Sequence, residues 1–330
     1  MSFTAYNTED SVVSSETVVT GLWSGNAYTL NSFFTQSGYS EYYLDVYNAN
    51  PTTNYSASVQ FDIQYGHQFG SGSVRINPTV ITNTPSRVVY GQYRNLVYGT
   101  ETTNFSFDGI TTPNDIYVIN ISRNRYKQSI QPGSLNLTLG SGSNGKIYLT
   151  DDSNTTSLTR FLGENRVYYI ISGSNGNAYT STASTTYYGI MLPDLGVIIL
   201  NGTGSQSMSG SLGKYIAAPN QGTTQVYNHV NLYNSIVSGS TFQLQSNEVI
   251  SSRYFFTRIK NSEFNYTGNP SIIDNSGNLL YTTLINNPQT YITTVGMYND
   301  NNELLAVAKL SKPLVKDFTK EALIRIKLDY

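Results

Sequence analysis

The residues that could do chemistry in this chain are few and scattered. The loop Gly140-Ser141-Gly142-Ser143-Asn144-Gly145-Lys146 spaces its glycines as G-x-G-x-x-G, and Gly140, Gly145 and Lys146 also fit the start of a phosphate-binding loop. Both motifs work by aiming backbone N–H groups at phosphate from a helix N-terminus. Here the next segment is KIYLTDD, which has strand character, and Ile147 stands where a Ser or Thr would be needed to hold magnesium. A hairpin loop is the better reading. His67 and His229 are the only histidines and lack the close-spaced partner that a metal site shows. They read as loop or strand-surface residues; a triad would need one of them beside an exposed serine and a carboxylate. Asp151-Asp152-Ser153-Asn154 offers oxygens to a hard cation, but without the spaced acids and closing Glu of a calcium loop it reads as a solvated turn. Glu41 with Asp45, or Asp108 with Asp115, would have to lie about 5–10 Å apart in a cleft to hydrolyse a glycoside. Nothing around them marks them out. No catalytic, cofactor-binding or metal-binding residue is assigned, and the chain is not expected to be an enzyme.

What remains is contact chemistry. SRNRYK (122–127) places Arg123, Arg125 and Lys127 at alternate positions of an expected strand continuation, where three cations on one face could meet an acidic partner or simply guard a strand edge. Tyr291, Met297, Tyr298 and Tyr330 in the closing strands complete the candidate interface set. The 28 tyrosines suit half-buried pleated surfaces, interfaces and carbohydrate platforms alike.

The composition agrees with that emphasis. Charged residues are 12% of the 330 residues, well below the ~25% of an average soluble domain, so the surface is easily buried against another protein. The net charge of −2 leaves no excess of cations to neutralise phosphate, which argues against nucleic-acid binding. Residues 1–249 hold 10 basic and 14 acidic groups, and residues 250–330 hold 9 and 7, a mild asymmetry that permits contacts between copies. With no cysteine, disulfides and thiolate chemistry are excluded. The N-terminus shows no secretory pattern and no apolar run is long enough to span a bilayer, so synthesis in a cytoplasm and no membrane insertion are expected.

Stepping along the chain, short apolar runs alternate with turn clusters. Strands are expected at 41–47, 56–65, 87–99, 115–126, 134–139, 146–152, 165–173 and 187–202, the last turning at Pro193-Asp194-Leu195-Gly196. Residues 203–245, rich in Ser, Gly, Thr, Gln and Asn, read as a long surface excursion or irregular β structure. YITTVGMY and ELLAVAKL flank Asn299-Asp300-Asn301-Asn302 as a hairpin, and the chain closes with one helical turn near 317–323 and a last strand. The expectation is an all-β fold with very little helix: sandwich-like antiparallel modules joined by long Ser/Gly/Asn-rich loops. The expected domains are 1–110 and 111–330, the second with a variable region at 203–245 and a terminal hairpin module at 250–330.

Several segments have a particular wording. PSRVVYGQYRNLVYG (85–99), DIYVINISRNRYKQSIQPGSLNLTL (115–139), YYGIMLPDLGVIILNG (187–202), SSRYFFTRIKNSEFNYTGNPSI (251–272) and the final YITTVGMY…IKLDY (291–330) resemble virion structural proteins of contractile-tailed, T-even-like phages, notably those of marine cyanobacteria. The resemblance spares the first ~50 residues and 203–245, as surface loops would. It implies a tail or baseplate building block, located in the virion, present in many copies or as a homo-oligomer, and partnered by other phage structural proteins. It implies no catalytic residue. The alternative is a receptor- or glycan-binding fibre protein that meets a host-surface glycan through Tyr-lined loops such as 203–245.

Overall fold

The computed structural model describes residues 6–75, 79, 83–107, 112–142, 144–155, 159–179, 186–202, 212–222, 226–265 and 269–330. Strands β1 (Ser11–Gly21), β2 (Thr29–Leu30), β3 (Leu44–Tyr47) and β4 (Val59–His67) precede helix α1 (Pro85–Tyr98). After it run β5 (Asp115–Ile121), β6 (Ser129–Ile130), β7 (Asn136–Ser141), β8 (Gly145–Asp151) and β9 (Arg160–Leu162). Then come β10 (Asn165–Ser174), β11 (Asn177–Ala178), β12 (Tyr187–Leu192), β13 (Val197–Asn201) and helix α2 (His229–Gly239). The chain finishes with β14 (Phe242–Gln243), β15 (Gln245–Ile259), the single turn α3 (Thr283–Asn286), β16 (Thr290–Tyr298), β17 (Leu304–Lys316) and β18 (Ala322–Asp329). The fold is all-β, with 44% strand and 13% helix.

The chain forms two compact units, Thr17–Glu248 and Met1–Glu16 with Val249–Tyr330. A division at 110 is therefore overturned: β4 and β5, on either side of it, pair from Phe61↔Ile121 to His67↔Asp115.

The larger unit is organised by one antiparallel sheet in the order β2-β14-β7-β8-β10-β12-β13-β5-β4-β3. Its central strands are buried on both faces, as the continuous apolar runs demand. In β5, Tyr117, Ile119 and Ile121 enter one core while Ile116 and Val118 enter another; in β13, Ile198 and Leu200 oppose Val197 and Ile199. Phe242 of β14 and Phe61 of β4 come from near opposite ends of the strand order, yet their rings lie 5.3 Å apart. Trp23 touches both, at 5.0 and 5.9 Å, and its indole N–H donates to the Phe242 carbonyl at 3.0 Å. The sheet is thus curled around one core, and the layers expected of sandwich-like modules arise within a single sheet.

Two helices cover the faces, and both fell on segments expected to be something else. Residues 87–99 form α1 rather than a strand. Pro85 sits in its first turn, Gly99 ends it at φ 67°, and Val89, Tyr93 and Val97 recur at helical spacing against the second core. Its β-branched and aromatic content disguises that period. Gly66 of β4 lets the helix approach, because a Cβ there would lie 2.8 Å from the Tyr90 backbone nitrogen. Helix α2 lies inside the expected excursion 203–245 and buries Leu232 and Ile236 in the first core; residues 203–211 and 223–225 lie outside the described residues. The glycine loop at 140–146 serves this helix. A Cβ on Gly140 would lie 2.9 Å from the Ser238 carbonyl carbon, and Lys146 Nζ donates to the Gly239 carbonyl at 2.9 Å, placing a cation at the helix C-terminus. β7 and β8 form the expected hairpin.

His229 opens α2 and is buried, contrary to a surface reading. Its Nε2 has no partner, Tyr227 packs edge-on at 5.9 Å, and burial pushes its pKa down to about 4. A depressed histidine stabilises the fold above its ordinary pKa of 6.5 and loses that contribution as pH falls toward 4. Chemical denaturation should show His229→Met retaining roughly 2–3 kcal/mol more stability than the parent between about pH 7 and pH 4.5. Parallel pH profiles for the two proteins would contradict this assignment.

Candidate assembly surface

The smaller unit is built differently. β15 lies between β1 and β18 and pairs with β18 from Ser252↔Asp329 to Ile259↔Ala322. Alternation places Ile324 inward and leaves Leu323, Arg325 and Lys327 exposed. β16 and β17 form a separate two-stranded sheet. Its tip is set by the Asn299 Oδ1, which accepts from the Asn301 and Glu303 backbone N–H groups at 3.0 and 2.8 Å, and by Asn302 at φ 62°. Register jumps from Ile292↔Leu314 to Thr294↔Lys309, so Leu310–Pro313 bulge opposite Thr293. Pro313 lacks the N–H that a ladder would need, and a bulge is where a strand tolerates it. At the base, the fully buried Lys316 donates from Nζ to the Asn261 carbonyl (2.9 Å), Asn265 Oδ1 (2.8 Å) and the Asp317 carbonyl (3.0 Å). The expected helical turn near 317–323 is a tight turn followed directly by β18.

This unit keeps little of its apolar surface. Among the described residues its buried hydrophobic side chains are Phe255, Ile259 and Ile324, whereas the larger unit holds the whole of both cores. In the hairpin, Tyr291, Leu304, Leu305 and Val307 are 62, 52, 66 and 58% exposed. Ile292, Val295, Met297 and Ala306 are only half-buried. One face of the ribbon thus exposes apolar side chains beside Thr293, Thr294 and Lys309, and the apolar side chains of the other are only partly covered.

The sequence-derived contact residues divide accordingly. Tyr291, Tyr298 and Tyr330 are exposed and Met297 is half-buried, all in the smaller unit. The cationic trio is a correction: Arg123–Arg125 form a 3₁₀ turn, so no alternating strand face exists. Arg125 points inward, donating to the Val59 carbonyl and to Ser24 Oγ at 2.9 Å each, and burial lowers its pKa. Arg123 donates to the Tyr126 carbonyl at 2.7 Å and stacks 4.7 Å from the Tyr126 ring. Lys127 stays largely in solvent, 4.0 Å from Glu248.

The other polar groups turn out to be anchors. Asp151 accepts backbone N–H groups of Gly133, Leu135 and Ser153, and Asp152 accepts that of Tyr169 at 2.9 Å while pairing with Arg160. This is a buried loop clasp rather than a solvated turn. Asp45 lies directly across from Asp62, which accepts from Gln64 and Asn120 at 2.8 and 2.9 Å; burial raises both carboxyl pKa values. Asp115 is buried, and Asp108 lies outside the described residues. Among the described residues no three His, Asp or Glu side chains gather as metal ligands, and no helix is long and apolar enough to cross a membrane. Comparison with family models, curated proteins and solved structures finds no match to this chain.

Because Leu305 and Val307 bury so little within the chain, Leu305→Ser and Val307→Thr should each change its unfolding free energy by less than about 0.5 kcal/mol. Phe255→Ala in the same unit should cost about 3 kcal/mol or more. Denaturant melts of the purified chain would check both, and a large loss at Leu305 would place that side chain in an internal core.

Proposed function

We propose that the chain is a structural subunit of a phage virion, positioned in the tail or baseplate and held there by contacts made through its smaller unit. It is made in the host cytoplasm, is present in many copies, and has other virion proteins as partners. The observation that supports this best is the β16–β17 ribbon, which exposes Tyr291, Leu304, Leu305 and Val307 and pairs with no third strand among the described residues. The segment resemblances at 85–99, 115–139, 187–202, 251–272 and 291–330 favour the same reading.

Magnitudes bear on the kind of assembly. Burying a Leu, Val or aromatic side chain is worth ~1.5–3 kcal/mol, and Tyr291, Leu304, Leu305 and Val307 are about half to two-thirds exposed, so the four supply roughly 3.5–7 kcal/mol. Association costs about 4–15 kcal/mol. Such a contact holds when it is one of several in a multivalent particle, where neighbouring contacts raise the effective concentration. Open strand edges add backbone pairing by strand addition.

The test is incorporation. Supplying a Leu305→Asp/Val307→Asp chain during infection should yield a folded protein, with the larger unit melting as in the parent, that is missing from purified particles by quantitative mass spectrometry. Incorporation at the parental level, or particles that lack the parent chain altogether, would refute the assignment.

A further inference from the structure

Helix α1 turns one side to the sheet, and its other side borders a cleft of about 690 Å³, a size typical of small-ligand sites. Arg87 and Arg94 line it together with Gln92 and Asn95 from the same helix and Phe69 from the loop after β4. Seven residues apart, the two arginines share a helix side about 10 Å apart along the axis. Neither has an ion-pair or hydrogen-bond partner among the described residues. The Arg94 guanidinium is held 5.8 Å from the centre of the Tyr90 ring, and its Nε is buried without an acceptor. A buried charged donor in that state is costly, and a ligand oxygen relieves the cost.

The opposite wall is built in advance. His67 Nδ1 accepts the backbone N–H groups of Phe69 at 3.1 Å and Ser71 at 3.3 Å, which pins the loop and presents a Phe69 ring that is 61% exposed. A buried histidine therefore acts as a loop clasp, and burial lowers its pKa in keeping with an Nδ1 that accepts. Gln68 is fixed by donating to Asn104 Oδ1 at 2.8 Å. Among the described residues Glu101 is the only carboxylate lining the cleft.

We propose that this cleft binds an acidic saccharide. Arg87 and Arg94 would receive carboxylates carried on separate sugar residues, Phe69 would stack on an apolar sugar face, and Gln92 and Asn95 would bond hydroxyls. Paired guanidinium forks match carboxylates, and the exposed ring with neighbouring amides is surplus to what a simple inorganic anion needs. Two cations facing one acid in a chain of net charge −2 are too few for a nucleic-acid backbone. The site belongs to the larger unit and is independent of the ribbon contacts proposed above.

Titration calorimetry of the full chain with tetragalacturonate, maltotetraose and inorganic phosphate tests this. Tetragalacturonate should bind, more weakly as salt rises, and the other two should bind at least about tenfold more weakly. Arg87→Gln and Phe69→Ala, both at exposed positions, should each weaken tetragalacturonate binding about tenfold or more without moving the melting temperature. Arg94→Lys, which keeps the charge but loses the planar fork, should weaken it as well. Equal binding of maltotetraose, equal binding of phosphate, undiminished binding by Arg87→Gln, or no binding of tetragalacturonate at all would each overturn the proposal. None of these outcomes bears on particle incorporation, so the two proposals fail separately.

Discussion

A ribbon of two strands has one hydrogen-bonded seam and no interior. Each of its faces can be covered only by something outside the ribbon, and an isolated hairpin is marginally stable in water. β16 and β17 obey that constraint with apolar residues on both faces, Leu305 and Val307 among them. The pressure falls on the base of the ribbon, where buried Lys316 is satisfied by three oxygens from Asn261, Asn265 and Asp317. A buried ammonium fixes position more than it adds stability, since desolvation offsets most of what its hydrogen bonds return. The base is held and the length is left open, the arrangement on which the proposed assembly role rests.

The larger unit solves the opposite problem. Its sheet is apolar on both faces and covers both by itself, one with α1, the other by curling around Trp23, Phe61 and Phe242 with α2 alongside. Polar side chains there mostly tie loops to strands: Arg125 to Val59, Asp151 to Gly133 and Leu135, Lys146 to the end of α2. Groups that looked like chemistry in the sequence are thereby used up in architecture. Arg87 and Arg94, which the sequence did not single out, face the cleft beside α1 without an ion-pair or hydrogen-bond partner among the described residues.

What could be read from the sequence was local. Turn residues such as Pro193–Gly196 and Asn299–Asn302 set their hairpins through their own backbone preferences. The helices were hidden because valine and tyrosine, strand formers by propensity, fill α1; Pro85, Gly99 and the spacing Val89, Tyr93, Val97 were the available signal. The domain division was hidden for a different reason, since the smaller unit joins residues 1–16 to 249–330. Arg125 could not be assigned either, because its acceptor is a carbonyl 66 residues earlier. The candidate surface was legible only in part: the closing tyrosines are exposed, but the ribbon's exposed apolar side chains stand out only once the pairing shows no third strand among the described residues.

Amide hydrogen exchange, measured on the isolated chain and on assembled particles, addresses the central claim most directly. The account predicts that the amides of Thr290–Lys316 exchange fast in the isolated chain and slow by at least about a hundredfold in the particle, while Asp115–Ile121 is protected in both. A ribbon as well protected as Asp115–Ile121 in the isolated chain would contradict it.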